Sequence, residues 1–585
     1  MRHAILMVLI IFMMPLSSIV SAEDEVIVGD ELDTLSIMEN YSISVRLAFD
    51  RVSNLESYTT EDLHDSKEWL VVTSIPISEH ETTHSKPISS KGIEILPGSF
   101  VWELEGGEKP IERLSEALEI GEIESFSPLV ERTHVERYLP NDPELSSQWH
   151  LDNYGQTGGV SGEDANLTGA WNSYNGSGVV ISIVDDGLDI SHPDISPNYD
   201  QSASYDWCND DSDPTPLSFD GHGTAAAGVA AAAGNNSLYV SGAAFGANVA
   251  GSNLISCSIS DYLESQALSY ENDYVDIYSN SWGPTDNGRT LESPGPLMTA
   301  AFENDAYLGR DGLGNIITWA AGNGLTSDDD SNYDGYANSR FTIAVTAITH
   351  FGQQSYYAEP GANILVAAHS NGDGEAITTT DIVGSGGYNS SGNVTDTFGG
   401  TSSATPLASG VIALMLEANQ NLTWRDVQHI LVNSARINDQ SDSSWDVNGA
   451  GHDVSHKYGF GAVDAGAAVS MASSWTNVDE EVNLSVGPIP ENYQIDDGNS
   501  SWSEFNTSIT MDMTIESIDV VVDISHTNRG DLEIVLVSPS GKESWLAEER
   551  NDNNNDYDNW TFNTVHHWDE SSIGNWQLKV RDVDS

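Results

Sequence analysis

The chain has 585 residues with 90 acidic and 21 basic side chains, a formal charge of −69 and a pI near 4.1. A field of that sign repels phosphate and makes nucleic acid and anionic membranes poor partners. It leaves a salt-adapted surface, calcium sites and attraction of basic substrates as readings, with most of the acids as solvated surface. The length exceeds what a single core fills and predicts roughly two to four units.

In chain order, Arg2 and His3 precede an apolar run from Ala4 to Leu16 and then SSIVSA. A basic start, a short apolar stretch and small residues before Glu23 predict a secretory signal over 1–22, cut after Ala22. The run is too short to span a bilayer and no later segment qualifies, so no membrane span is expected; an uncleaved anchor is the alternative. The protein is expected to be secreted or at the cell surface. Residues 23–90 are polar and acidic and resist assignment. SFVWELE (Ser99–Glu105) reads as a strand, Lys109–Ile123 as a helix with Ile111, Leu114 and Leu118 on one face, and Ile123–His134 as extended chain. Together these predict a small α+β unit.

From Trp149 to about Ser474, strand-like runs (GVVISIVD, NVAGSNLIS, VDIYSNSW, NIITWAAGN, FTIAVTAIT) alternate with alanine-rich helical segments. That alternation predicts an α/β fold, a parallel sheet covered by helices, with functional loops at the carboxyl ends of the strands. Beyond Trp475 the helical signal stops. SIDVVVDISH, DLEIVLVSPSG, DNWTFNTVHHW and NWQLKVRDV predict a separate all-β sandwich or jelly roll.

Three segments place a reactive side chain beside glycine: VDDG (184–187), DGHGTAAAG (220–228) and GGTSSATPLASG (399–410). Asp185 ends a strand, His222 opens a helix, and Ser402 precedes a long apolar helix with Pro406 in its first turns. A serine hydroxyl becomes a nucleophile when an imidazole takes its proton, and a buried carboxylate fixes the tautomer of that imidazole. Asp, His, Ser in this order is one of the known triad orders.

With IYSNSWGPTDNGRT, WAAGNG, LEANQNLTWRDVQHIL, VSHKYGFGAVDAG and RGDLEIVLVSPSG added, the chain resembles the subtilisin superfamily, and within it the kexin/furin-type proprotein convertases. The resemblance runs over about 138–585 and more weakly over the preceding region. It implies a subtilisin-like catalytic domain at 138–475, a propeptide at 23–137 (mainly 90–137) that assists folding and inhibits, and a jelly-roll-like P domain at 476–585, incomplete at its C-terminus. Asp185, His222 and Ser402 would form the triad, Ser402 rather than Ser403 being the serine of Gly-Thr-Ser, and Asn323 would donate to the oxyanion.

The same resemblance assigns basic side chains of the substrate to Asp286 and Asp334 for the residue before the cleaved bond, to Asp186 and Glu264 farther out, and to Glu292 and Tyr336 in the outer pocket. Calcium, the implied cofactor, would take Asp142, Asp194 and Asn236 at one site, Asp206, Asp211 and Asp213 at a second, and Asp286, Asp329 and Glu359 at a third. In one departure, Phe219 stands where the family has an acid before the histidine, with Asp220 one step away. The sequence also contains no adjacent basic pair, so self-cleavage at a strict dibasic site is not expected; Arg132, His134 and Arg137 are the candidate junctions. Cys208 and Cys257 follow neighbouring strands of the implied fold, with a disulfide and two free buried thiols as the alternatives. Asp189 is read as surface charge.

The expected function is a secreted, calcium-dependent serine endopeptidase that cleaves protein and peptide substrates after Arg or Lys. A broad-specificity secreted subtilase is the first alternative, and an inactive adhesion protein on the same fold the second.

Overall fold

The computed structural model describes residues 66–73, 87–93, 95–104, 109–130, 139–488 and 499–584, with single positions between 38 and 64 and at 493 and 495. The signal segment, the position after Ala22, and Arg132, His134 and Arg137 lie outside them. The chain forms two compact units, 1–134 and 135–585.

In the first unit the antiparallel strands β1 (Glu68–Thr73), β2 (Ser89–Gly92), β3 (Ser99–Glu103) and β4 (Ile123–Pro128) lie in the order β2-β3-β1-β4, accompanied by helix α1 (Lys109–Glu119). Trp69, Val71, Trp102, Leu114, Ile123 and Phe126 make its core. β1 lies in the stretch that resisted assignment from sequence, yet it is an interior strand. Its residues are buried on both faces toward its end, so EWLVVT carries no alternation to read.

The second unit is built on a parallel seven-stranded sheet, ordered β11-β10-β9-β8-β5-β7-β6. Its strands are β5 (Val180–Asp185), β6 (Tyr205–Asp206), β7 (Asn248–Asn253), β8 (Ile277–Asn280), β9 (Ile316–Ala320), β10 (Thr342–Ile348) and β11 (Ile364–His369). All residues of β5 and β10 are buried, as expected for strands covered on both faces. Helix α2 (His222–Ala231), almost entirely small residues, lies close to α3 (Thr401–Ala418): a Cβ on Gly410 of α3 would come within 3.0 Å of the Ala230 carbonyl oxygen. Because the strands are parallel, the loops after β5, β8 and β9 open at one edge. Those loops carry Asp185, Asp286 and Asn323.

Two antiparallel sheets follow. One has the order β16-β21-β18-β19, from β16 (Asn499–Ile509), β18 (Leu532–Val537), β19 (Glu543–Ala547) and β21 (Gly574–Asp582). The other pairs β17 (Ile518–Ile524) with β20 (Tyr557–Thr564). This β-domain docks on the segment after β9. Asn563 donates its N–H to Asn338 Oδ1 at 2.7 Å, Asn332 Nδ2 donates to the Asn563 carbonyl at 2.8 Å, and Tyr333 joins the β-domain core. Among the described residues no helix is long and apolar enough to cross a membrane.

Candidate active site and cation sites

Asp185 ends β5 with no exposure to solvent, and both its oxygens lie 2.9 Å from His222 Nδ1. Asp186 meets the backbone of the same histidine. It accepts the N–H groups of His222 (3.1 Å) and Gly223 (2.7 Å), so it caps the first turn of α2 and fixes where the imidazole starts. Burial and the charge of Asp185 push the Asp186 carboxyl up to about 7. Burial alone would lower the His222 pKa, but the charge and hydrogen bond of Asp185, with Asp186 behind it, raise it to about 9.

The other edge of this ring belongs to the β13 strand (Val394–Phe398), whose Phe398 packs against it edge-on at 5.4 Å. Gly399 and Gly400 lead from there to Ser402. Gly400 has φ +76°, a conformation that disfavours side chains, and turns the chain sharply into α3. The first N–H groups of a helix lack intrahelical acceptors. That of Thr401 goes to Asn323 Oδ1 at 2.8 Å, joined by the Thr401 hydroxyl at 3.1 Å. Because an N–H can only meet oxygen, this fixes the orientation of the Asn323 amide and leaves its NH2 as the donor end.

Pro406 has a use that its position alone does not reveal. It lacks the N–H that would bond the carbonyl four residues earlier, which is that of Ser402. The Ser281 hydroxyl takes that place, donating to the Ser402 carbonyl at 3.1 Å, while the Ser402 hydroxyl donates to the Ser281 carbonyl at 3.4 Å. Ser403 is fully buried and hydrogen-bonded to the Ser370 hydroxyl at 2.6 Å, away from any substrate.

Of the expected pocket residues, Asp286, Glu292, Asp334 and Tyr336 lie on the loops after β8 and β9, and Glu264 on a short helix (Asp261–Leu268) after β7. Asp286 accepts the Asn323 N–H at 2.8 Å and Asp334 accepts the Tyr336 N–H at 2.8 Å. The Tyr336 hydroxyl donates to Glu264 at 3.1 Å, and its ring stacks on Trp319. Glu292 is exposed and its backbone pairs with Asp334. Burial, then the charges of Asp286 and Asp329, push Asp334 up to about 8. Phe219, by contrast, is 76% exposed.

The three expected cation sets differ in character. Gly324 touches every member of the third: a Cβ there would lie 2.6 Å from Asp329 Cβ, 2.8 Å from Glu359 Oε1 and 3.1 Å from Asp286 Cβ. Burial, with Asp286 and Asp330 adding to it, raises Asp329 to about 6, and burial with Asp329 and Asp286 raises Glu359 well above the usual range. Two buried carboxylates, Asp329 and Glu359, set beside the exposed Asp286 fit a hard cation that solvent can reach. In the first set Asp142 and Asp194 are buried and linked through Asn236, whose amide donates to Asp194 at 3.0 Å; Asp142 is raised by burial and by Asp194. This set fits too. The second set fits poorly. Asp206 already accepts from Cys208 N, Asn209 N, Asn209 Nδ2 and Asn253 Nδ2 at 2.7–3.0 Å, which leaves only the exposed Asp211 and Asp213.

Cys208 and Cys257 are joined in a disulfide, with Cα atoms 5.7 Å apart. The reading of Asp189 as surface charge is corrected. It is 6% exposed, and it accepts from Ser191 N and Oγ at one oxygen and from Val383 N at the other, tying the loop after β5 to the 381–389 loop. That partner lies far along the chain, so local sequence carries no sign of it.

Residues 176–461 match the family model of the subtilases, peptidase S8, and 515–585 match the proprotein convertase P-domain. The chain belongs to the subtilase family. This subtilase is 40% identical over 460 residues to the PC3-like endoprotease variant B of Hydra vulgaris, covering 76% of this chain and 64% of that one. It is 40% identical to human proprotein convertase subtilisin/kexin type 6, over 76% of this chain and 46% of that one, and 37% identical to human furin, over 76% and 56%. The chain therefore spans between 46% and 64% of the length of these relatives. With the P-domain, they place the subtilase in the kexin/furin-like branch. Among solved structures, the serine protease of Aeromonas sobria superposes with a TM-score of 0.71 at 27% identity, covering 77% of this chain and 91% of that one. The fold is subtilisin-like, with an antiparallel P domain behind it.

Proposed function

We propose that this subtilase is a secreted serine endopeptidase that hydrolyses peptide bonds after Arg or Lys. The observation that carries the reaction is the hydrogen bonding of His222 Nδ1 to the fully buried Asp185, with the strand whose Phe398 packs on that imidazole leading through two glycines toward Ser402. Ser402 Oγ attacks the peptide carbonyl as His222 Nε2 takes its proton, then returns that proton to the leaving amine. The acyl-enzyme is released by water activated in the same way. Asp185 keeps the proton on Nδ1 and stabilises the imidazolium. The Asn323 NH2 and the Ser402 N–H, the first-turn N–H between two that are already taken, meet the developing oxyanion.

Preference for a basic side chain rests on the charges around the pocket. Those acting on Glu264 come from Asp261 and Glu292, and those on Asp334 from Asp286 and Asp329, all of them acidic. A guanidinium or ammonium entering there relieves that repulsion. A peptide library decides the matter: the expected result is strong enrichment of Arg and Lys before the cleaved bond, and Asp334→Asn reduces turnover of basic substrates selectively. Cleavage without that enrichment would leave the broad-specificity reading standing.

Calcium would be held by Asp286, Asp329 and Glu359, and by Asp142 and Asp194 with Asn236. Its contribution is neutralising charge that stiffens the loops bearing Asn323 and Asp334. The first unit, with its own sheet and core, suits the role of propeptide.

The pH profile follows from His222. Only the neutral imidazole accepts the serine proton, and its pKa is raised to about 9. kcat/KM should therefore climb about tenfold per pH unit on the acid side and level off as pH passes about 9. Asp186→Asn removes one of the charges raising that pKa, so the midpoint should move to lower pH. A midpoint that stays put in the variant would show that Asp186 acts only as a cap.

A further inference from the structure

At the junction between the parallel-sheet domain and the P domain, a histidine sits between two acids. His456 Nε2 lies 3.1 Å from Asp330 Oδ2 and 3.7 Å from Glu548 Oε2. One donor atom from each of the three lies within 4.8 Å of the others. The residues come from separate places: Asp330 from the loop after β9, His456 just beyond the short β15 strand (Asp453–Ser455), and Glu548 from the end of β19. The remaining oxygen of Asp330 is taken by the Asn332 N–H at 2.8 Å, so only Oδ2 is offered to the cluster. Asp330 is buried, while the Glu548 side chain is 50% exposed and gives solvent a way in.

Behind His456 lies His566, 3% exposed, with no hydrogen-bond partner at either ring nitrogen. Its ring stands at right angles to that of His456 with centroids 5.8 Å apart. A tetrahedral ion with bonds of about 2.0–2.1 Å keeps its donor atoms roughly 3.4 Å apart, between the two spacings observed. An ordinary ion pair accounts for the contact with Asp330. It does not account for a second carboxylate converging on the same nitrogen beside an unpartnered buried imidazole.

We propose that Asp330 Oδ2, His456 Nε2 and a Glu548 carboxylate oxygen form a site for one divalent ion of the zinc class, joining the parallel-sheet domain to the P domain. An imidazole with two carboxylates suits such an ion, whereas calcium takes a larger set of oxygens. The fourth position falls to water, with His566 bordering it. The Lys542 charge also reaches His456, but its ammonium is held by Asp446 at 3.0 Å. Asp330 immediately follows Asp329 and opens the turn that leads to Asp334, so the ion would brace the loop bearing the pocket acids against the P domain.

The test uses the full chain as Ser402→Ala, which prevents self-digestion, in excess calcium so that oxygen-only sites are filled. Zn2+ is added, the protein is passed through a desalting column, and retained metal and Tm are measured; Co2+ binding is followed by its visible absorption. The expected result is about one retained zinc per chain and a saturable rise in Tm. His456→Gln and the half-exposed Glu548→Gln should each weaken binding tenfold or more, while His452→Gln, a histidine elsewhere on the domain, changes nothing. Equal zinc retention in all these proteins, or none in any, overturns the site and leaves His456 as an ion-paired histidine. Because binding is read without turnover, the outcome is independent of whether the proposed protease reaction is correct.

Discussion

Ser402→Ala is expected to lower kcat by on the order of 10⁶-fold with little change in KM, because the hydroxyl takes part in bond making and not in holding the substrate. Asp185→Asn should cost about 10⁴-fold, since an amide in that buried position leaves the imidazole in the wrong tautomer. Ser403→Ala is the control. Its hydroxyl binds Ser370 Oγ and the Gly400 carbonyl, so the substitution should cost stability and leave the rate within about tenfold. The measurement is steady-state turnover of a basic peptide, paired with labelling by a fluorophosphonate. Wild type that fails to label would revive the inactive adhesion reading. Equal losses in Ser402→Ala and Ser403→Ala would mean that the geometry at the start of α3, and not one nucleophile, is being measured.

The chemistry was legible because each part of it sits beside glycine at the end of an element. VDDG, DGHGT and GGTSSA announce sharp turns and close approach, and the apolar runs around them announce strands covered on both faces. What stayed hidden depends on partners distant in the chain. Asp189 reads as one more acid in an acidic loop until Val383 is seen to cover it. Asp186 was expected to meet substrate, and nothing in the sequence pointed to its second use, in which each of its oxygens accepts one N–H at the start of α2. The pairing of Pro406 with Ser281 needs a missing N–H in a helix and a hydroxyl after a distant strand. β1 was missed for a different reason: a strand buried on both faces has no period, and its short run looks like any apolar segment. The docking of the P domain on Asn332, Asn338 and Tyr333 had no signal at all, because asparagine in a loop is ordinary until its amide is matched to a strand edge.

Removing calcium should destabilise the protein, and more so at pH 8 than at pH 5. Unfolded carboxylates ionise near pH 4, whereas in the folded, metal-free protein burial and mutual repulsion raise Asp329 to about 6, Asp334 to about 8, and Glu359 well above its ordinary value. Between these limits the folded state holds more protons than the unfolded one. The stability contributed by these groups is therefore fully present below about pH 4 and is lost as pH rises through about 6 and then about 8. A bound divalent cation reverses that sign by favouring the ionised carboxylates. The Tm difference between protein in calcium and protein in EGTA should consequently widen as pH rises. At a hundredfold excess over Kd, each occupied site adds about 2.7 kcal/mol. Glu359→Gln should flatten the slope of the EGTA series, because one buried acid is gone, and shrink the calcium response at the same time. A Tm difference that is the same at pH 5 and pH 8 would mean that the acids around Gly324 are not the calcium site, and would leave Asp142 and Asp194 as the source of any calcium effect.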